Sequence, residues 1–196
     1  MGLIGDSRWA KLSCCLLVIT LLLHLICFSV PHWAKTQEHK VQRREHIGLW
    51  RHCTYPQNGH ETCTDFINQP TSDWLKACQS FMTLAMFALL AAIGAVGVYA
   101  FSPDLEGDTR VLTICLIITG TATVFNVIGV SVYGARYREY FSNKDVWGDV
   151  GQLAWAWWVG LCVCICNFFS FLLILLEMLA GYAPTMGGSG GYPQRY

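Results

Sequence analysis

Charge is scarce in this sequence. Only 13% of its 196 residues are Asp, Glu, Lys or Arg, and the 13 basic and 13 acidic side chains cancel. An ordinary soluble domain carries about 25% charged residues, so that class is excluded. A nucleic-acid partner is excluded as well, because it calls for a basic surface. No Asn is followed by x-Ser or x-Thr, which excludes N-glycosylation. Cys-x-x-Cys is absent despite 10 cysteines, which removes the motif a thiol oxidoreductase would use. Basic residues are not gathered where apolar segments meet the cytosol, apart from Lys11 and Arg110, which counts against a membrane glutathione-using enzyme. No catalytic, cofactor or metal site is therefore expected.

What the sequence does have is apolar length. Hydrophobic residues make up 54% of it. They concentrate in four runs, at 12–30, 77–101, 111–133 and 153–180. Each is long enough to cross a bilayer, which takes about 20 residues of helix. The first run follows Arg8 and Lys11, as a signal peptide would, but it exceeds the usual core of about 7–15 residues and lacks a small-x-small cleavage pattern. We read it as a span. The segment 102–108, Ser-Pro-Asp-Leu-Glu-Gly-Asp, is a short turn that makes the second and third spans antiparallel neighbours. The expected fold is a membrane α-helical, four-transmembrane-helix bundle with a small antiparallel extracellular β-sheet. The sheet would come from a first loop at 31–76. A second loop covers 134–152, and a Gly- and Pro-rich tail at 181–196 reads as disordered.

The first loop holds strand-like pieces at 33–40, 47–55 and 61–67, with a hairpin-type turn at 56–59 between the last two. It also holds Trp33, then Gly48-Leu49-Trp50, then Cys53 and, after nine intervening residues, Cys63. In a four-span frame this resembles the claudin family and its wider group of peripheral myelin, epithelial membrane and lens fibre membrane proteins. The resemblance covers nearly the whole chain. It implies that Trp33, Gly48, Leu49, Trp50, Cys53 and Cys63 form a folding signature, with Cys53 bridged to Cys63 across the turn; a pair of free thiols is the alternative. Trp50 is expected to pack the sheet onto the helix ends. Typical claudins carry an arginine where the second span begins, and here the run is Ala77-Cys78-Gln79, closer to the epithelial and myelin branch. That branch usually carries a glycosylation acceptor, which is missing. Typical claudins also end in a valine held by scaffold domains, whereas this chain ends in Tyr196.

Direction across the membrane is contested within the sequence. With both termini cytosolic, that side holds four Lys and Arg residues and the other side nine, against the usual bias. A disulfide needs the oxidising side, Lys11 precedes the first apolar core, and the family resemblance implies cytosolic termini. These outweigh the count. Trp33, Trp74, Trp147, Trp155, Trp157 and Trp158 would mark the outer headgroup level.

Inside the spans, His24, Asn126 and Asn167 all fall roughly 18–22 Å from the cytosolic boundary at about 1.5 Å per residue. The matching level of the second span is near Ala88. A buried polar layer bonded across the bundle is one reading; bonds to each residue's own backbone, or to trapped water, are the other. Ser72 is expected to cap the second helix through its side chain. Cys14 and Cys15 are palmitoylation candidates, Cys115 a weaker one, and Cys78 could join two chains. Cys162, Cys164 and Cys166 read as small buried hydrophobes. Ala91-x-x-x-Ala95 is a close-packing face, within the monomer or in a homo-oligomer. His32, His39, His46, His52 and His60 read as solvated strand residues, since their spacing fits no zinc pattern. With six basic and five acidic residues, the loop would give a pore wall little ion selectivity.

The functional expectation is a non-enzymatic plasma-membrane protein organising cell–cell contacts or membrane assemblies through its loops. A tight-junction barrier or paracellular channel is one alternative, and an auxiliary ion-channel subunit another. Its partners would be the lipid bilayer and other membrane proteins, in cis or in trans.

Overall fold

The computed structural model describes residues 7–37, 44–55, 60–66, 71–105, 107–142 and 151–182. The turn expected at 56–59, Trp147, His39 and nearly all of the expected tail lie outside them. Four helices, α1 (Arg8–Ser29), α2 (Asp73–Phe101), α3 (Thr109–Ser142) and α4 (Trp155–Tyr182), are long and apolar enough to cross a membrane. Hydrocarbon offers no hydrogen bonds, so the backbone must satisfy itself, and long apolar runs become helices. Their hydroxyls follow the same rule: Thr20 Oγ1 donates to the Leu16 carbonyl at 2.7 Å and Thr119 Oγ1 to that of Cys115 at 2.8 Å. Large apolar side chains such as Leu22, Phe87, Ile117 and Phe169 stay exposed, as a lipid-facing surface requires.

The helices close a ring in which α1 packs on α2 and α4, and α3 on α2 and α4. Its interior divides into two apolar clusters. The sheet-side cluster includes Cys27, Met82, Val130 and Cys164; the far-side cluster includes Leu17, Leu89, Ala122 and Ile174.

At one end of the bundle sits a five-stranded antiparallel sheet: β1 (Ala34–Gln37), β2 (Arg44–Ile47), β3 (Arg51–Tyr55), β4 (Thr62–Asp65) and β5 (Gln152–Leu153), in the order β4-β3-β2-β1-β5. Of the expected strand at 47–55 only Ile47 and β3 pair, because Gly48-Leu49-Trp50 leaves the ladder; the rest of β2 falls outside the expected strands. β5 joins Gln152 of the second loop to Leu153, expected in the fourth span, and pairs with Ala34 and Lys35, so both loops share one sheet and α4 begins only at Trp155.

Helix α3 runs past the end of its apolar segment at Tyr133. Its extra turns are held by the Arg136–Glu139 ion pair, three residues apart on one face, and by buried Tyr137. At the start of α2, Ser72 makes no side-chain cap; its carbonyl accepts from Leu75 N at 3.0 Å instead.

Candidate interaction site at the sheet end of the bundle

Trp33 joins the sheet to the helices. An α-helix leaves its last carbonyls without partners. Here the Trp33 indole N–H donates to the Cys27 carbonyl at 2.6 Å, in the last turn of α1. Its backbone N donates to Ile47 O at 2.9 Å, and its carbonyl accepts from Ala154 N at 2.8 Å. One residue therefore ends α1, touches β2 and leads into α4. Its ring lies 4.8 Å from that of Tyr133, whose hydroxyl donates to Ile47 O at 3.2 Å. Trp33 is thus a core residue and no part of an interfacial belt; exposed Trp155 and Trp158 are placed as belt residues would be.

Gly48-Leu49-Trp50 turns from β2 to β3 with its middle residue pointing into the bundle. Gly48 N donates to Arg51 O at 2.8 Å, closing the turn. Leu49 is fully buried, and its carbonyl accepts from Gln79 Nε2 on α2 at 2.7 Å. Half-buried Trp50 meets Phe28 of α1 edge-on at 5.1 Å. The three residues dock the β2–β3 hairpin onto α1 and α2.

Cys53 and Cys63 stand directly opposite each other on β3 and β4, and are bonded as a disulfide. Cys53 is buried and Cys63 exposed. Beside the bridge, Glu61 accepts from the half-buried Tyr55 phenol; that bond raises the phenol above its ordinary value. Glu61 and the two sulfurs lie close together, but sulfurs spent in a bond cannot also bind an ion. The double substitution Cys53→Ser with Cys63→Ser is expected to cost roughly 2–3 kcal/mol of unfolding free energy, the entropy of a loop of about ten residues. Thermal unfolding in detergent measures it, and an unchanged midpoint would refute the bridge's contribution.

The sequence model of the PMP-22/EMP/MP20/Claudin family matches residues 9–174, which take in the sheet and most of the bundle. The chain belongs to this family. Epithelial membrane protein 1 of Homo sapiens and that of Pongo abelii are each 24% identical to this PMP-22/EMP/MP20/Claudin chain over 140 residues, covering 68% of it and 74% of theirs.

The remaining candidates of this family member divide by burial. His24, Asn126 and Asn167 are all fully buried; Asn126 sits against the His24 ring, but His24 Nδ1, Asn126 Oδ1 and the Asn167 amide make no hydrogen bond of ordinary geometry. His24 Nε2 bonds the Met82 carbonyl of α2 at 3.1 Å, and Asn126 Nδ2 donates to its own helix at Ala122 O, 3.2 Å away. Cys15 is exposed and Cys14 partly covered on α1. Cys115 and Cys78 are buried, which closes the first to acylation and the second to a bond between chains. Of the run in α4, Cys164 is buried while Cys162 faces outward. On α2, Gly97 approaches the Cys14 sulfur of α1, whereas Gly94 faces open space.

The histidines depart from the solvated reading. His32 and His46 lie 4.7 Å apart between Trp155 and Tyr55. His52 sits beside Tyr140 at 5.9 Å and bonds Glu45 at 3.2 Å. All three are half-buried, and His60 is exposed. Period-two alternation alone does not show this burial, because the covering side chains come from other elements.

Proposed function

We propose that this protein is a non-enzymatic organiser of plasma-membrane contacts, working through the surface of its sheet, with both termini in the cytosol. The observation that carries this reading is the attachment of the sheet. Trp33, Leu49 and the β1–β5 pairing fasten it to the bundle, and β4 is exposed along all four residues at its outer edge. A surface fixed in advance spends little ordering entropy when a partner binds. An exposed sheet edge offers unpaired backbone groups to another chain. The disulfide supports placing the sheet on the oxidising, outer side. The partners are membrane proteins in the same or an apposed membrane.

The test is imaging of the tagged full chain in cells that lack junctions, with surface labelling of non-permeabilised cells. Enrichment at cell contacts together with outside labelling is the expected result. Continuous strands in the membrane would favour a barrier or channel former. Co-purification with a single channel would favour an auxiliary subunit. An even distribution with no stable partner would overturn the proposal.

A further inference from the structure

Three fully buried side chains with unpartnered polar atoms lie within about one turn of one another, in the seam between the two apolar clusters. On α1 the seam runs from Cys27 to Leu17 and contains His24. On α3 it runs from Val130 to Ala122 and contains Asn126; on α4 it runs from Cys164 to Ile174 and contains Asn167. Helix α2 contributes Ala85 there, fully buried and small, between Met82 and Leu89. Contacts between helices fix the same register. Asn126 lies beside the His24 ring. Between α3 and α4, Gly120 faces Phe171 and Gly160 faces Val130, which puts Asn167 within about one turn of Asn126.

The hydrogen bonds decide what the seam can hold. A carbonyl only accepts, so His24 Nε2 carries the proton given to Met82 O, and Nδ1 of the neutral ring is an acceptor. Asn126 spends its Nδ2 on Ala122 O, which leaves Oδ1 as an acceptor. Asn167 keeps its whole carboxamide. His24 Nδ1, Asn126 Oδ1 and both amide atoms of Asn167 are buried without a protein partner. Such atoms forfeit their hydration unless something replaces it. A cation is a poor occupant, since none of the fully buried side chains at this level is a carboxylate to balance its charge. What fits two of these three acceptors and the N–H donor at once is a small neutral molecule with two donor hydrogens and a lone pair.

We propose that this level is a binding site for ordered water. A central water donates to His24 Nδ1 and Asn126 Oδ1 and accepts from Asn167 Nδ2; a second donates to Asn167 Oδ1. Buried waters typically make about three such bonds. Through the His24–Met82 bond, the site ties all four helices at mid-depth.

The test uses the intact protein in nanodiscs, with histidine labelled for NMR. The His24 ring is expected to show cross-relaxation from a long-lived water, with Nε2 protonated and Nδ1 an acceptor. A second measurement follows Asn167→Leu. A water site predicts that this near-isosteric change raises the unfolding constant about tenfold, because it strands the acceptors on α1 and α3. A dry seam predicts the reverse, since an unpartnered amide would be replaced by a hydrocarbon. A His24 ring without water cross-relaxation, or a stabilised Asn167→Leu protein, overturns the proposal. Should that variant fail to fold, the unaltered protein's spectrum decides alone.

Discussion

Gly48→Ala is expected to detach the sheet from the bundle. A Cβ at this position would lie 2.6 Å from Pro31 Cα and 2.7 Å from the Val30 carbonyl oxygen. Both neighbours are backbone, and neither can step aside. Val30 N is bonded to Ile26 O at the end of α1, the proline ring fixes its own φ, and Trp33 N is bonded to Ile47 O immediately before the glycine. Overpacking at a yielding site costs about 1–3 kcal/mol; with rigid neighbours we expect roughly 3 kcal/mol or more. In a chain of this size that is a fall in midpoint of about 6–12 °C. Two other glycines serve as controls. At Gly129 the added carbon would meet the Met82 sulfur at 2.8 Å, but a methionine end can swing away, so a milder loss is expected. At Gly94 nothing lies within 4 Å, and alanine should be neutral or better. Thermal unfolding of the three purified variants tests the order, and a Gly48→Ala protein melting with the wild type would refute it.

That glycine also shows where the sequence stops being readable. The four spans were legible because a bilayer leaves an apolar run no choice but helix. The signature was legible as a pattern. Its physical work was not, because it depends on a chain excursion: apart from Gly48, Ile47 to Tyr55 reads as strand, yet Leu49 leaves the ladder to reach Gln79. The two-residue β5 has no periodicity to detect. The extension of α3 reads as loop because Arg136, Arg138 and Glu139 are charged, although a helix pairs such residues on one face.

Depth was easier to read than direction. Counting residues at a fixed rise put His24, Asn126 and Asn167 at one depth with Ala88 near it on α2; of the two alanines between Met82 and Leu89 there, Ala85 is fully buried and Ala88 half-buried. The rotation of each helix about its axis, which decides who faces whom, is set by packing. Hydrogen-bond partners depend on that rotation too, so Asn126 bonding its own backbone and His24 reaching α2 could not be told from the sequence. The same holds for Trp33. Its position at the end of a span suggests a headgroup anchor, and only the fold back of the chain over α1 turns it inward.

Trp33→Ala is the second change expected to have a large effect, and it separates docking from sheet formation. The side chain is fully buried, so truncation leaves a cavity against Tyr133 and Gly160. Truncating a buried Trp costs about 3–5 kcal/mol. It also leaves the Cys27 carbonyl without its indole donor at the end of α1. Trp33→Phe isolates that second effect, since most of the ring volume stays; about 1–3 kcal/mol is expected for the unmade bond. The Cys53–Cys63 bridge joins neighbouring strands of one hairpin and makes no contact with Trp33, so it should form in both variants. Trp33→Ala should therefore give a protein whose disulfide is intact by thiol labelling but whose sheet is cut early in limited proteolysis. Equal losses for Phe and Ala would assign the whole effect to the N–H bond. A Trp33→Ala protein as stable as the wild type would mean that the sheet is held by Leu49 and β5 without it.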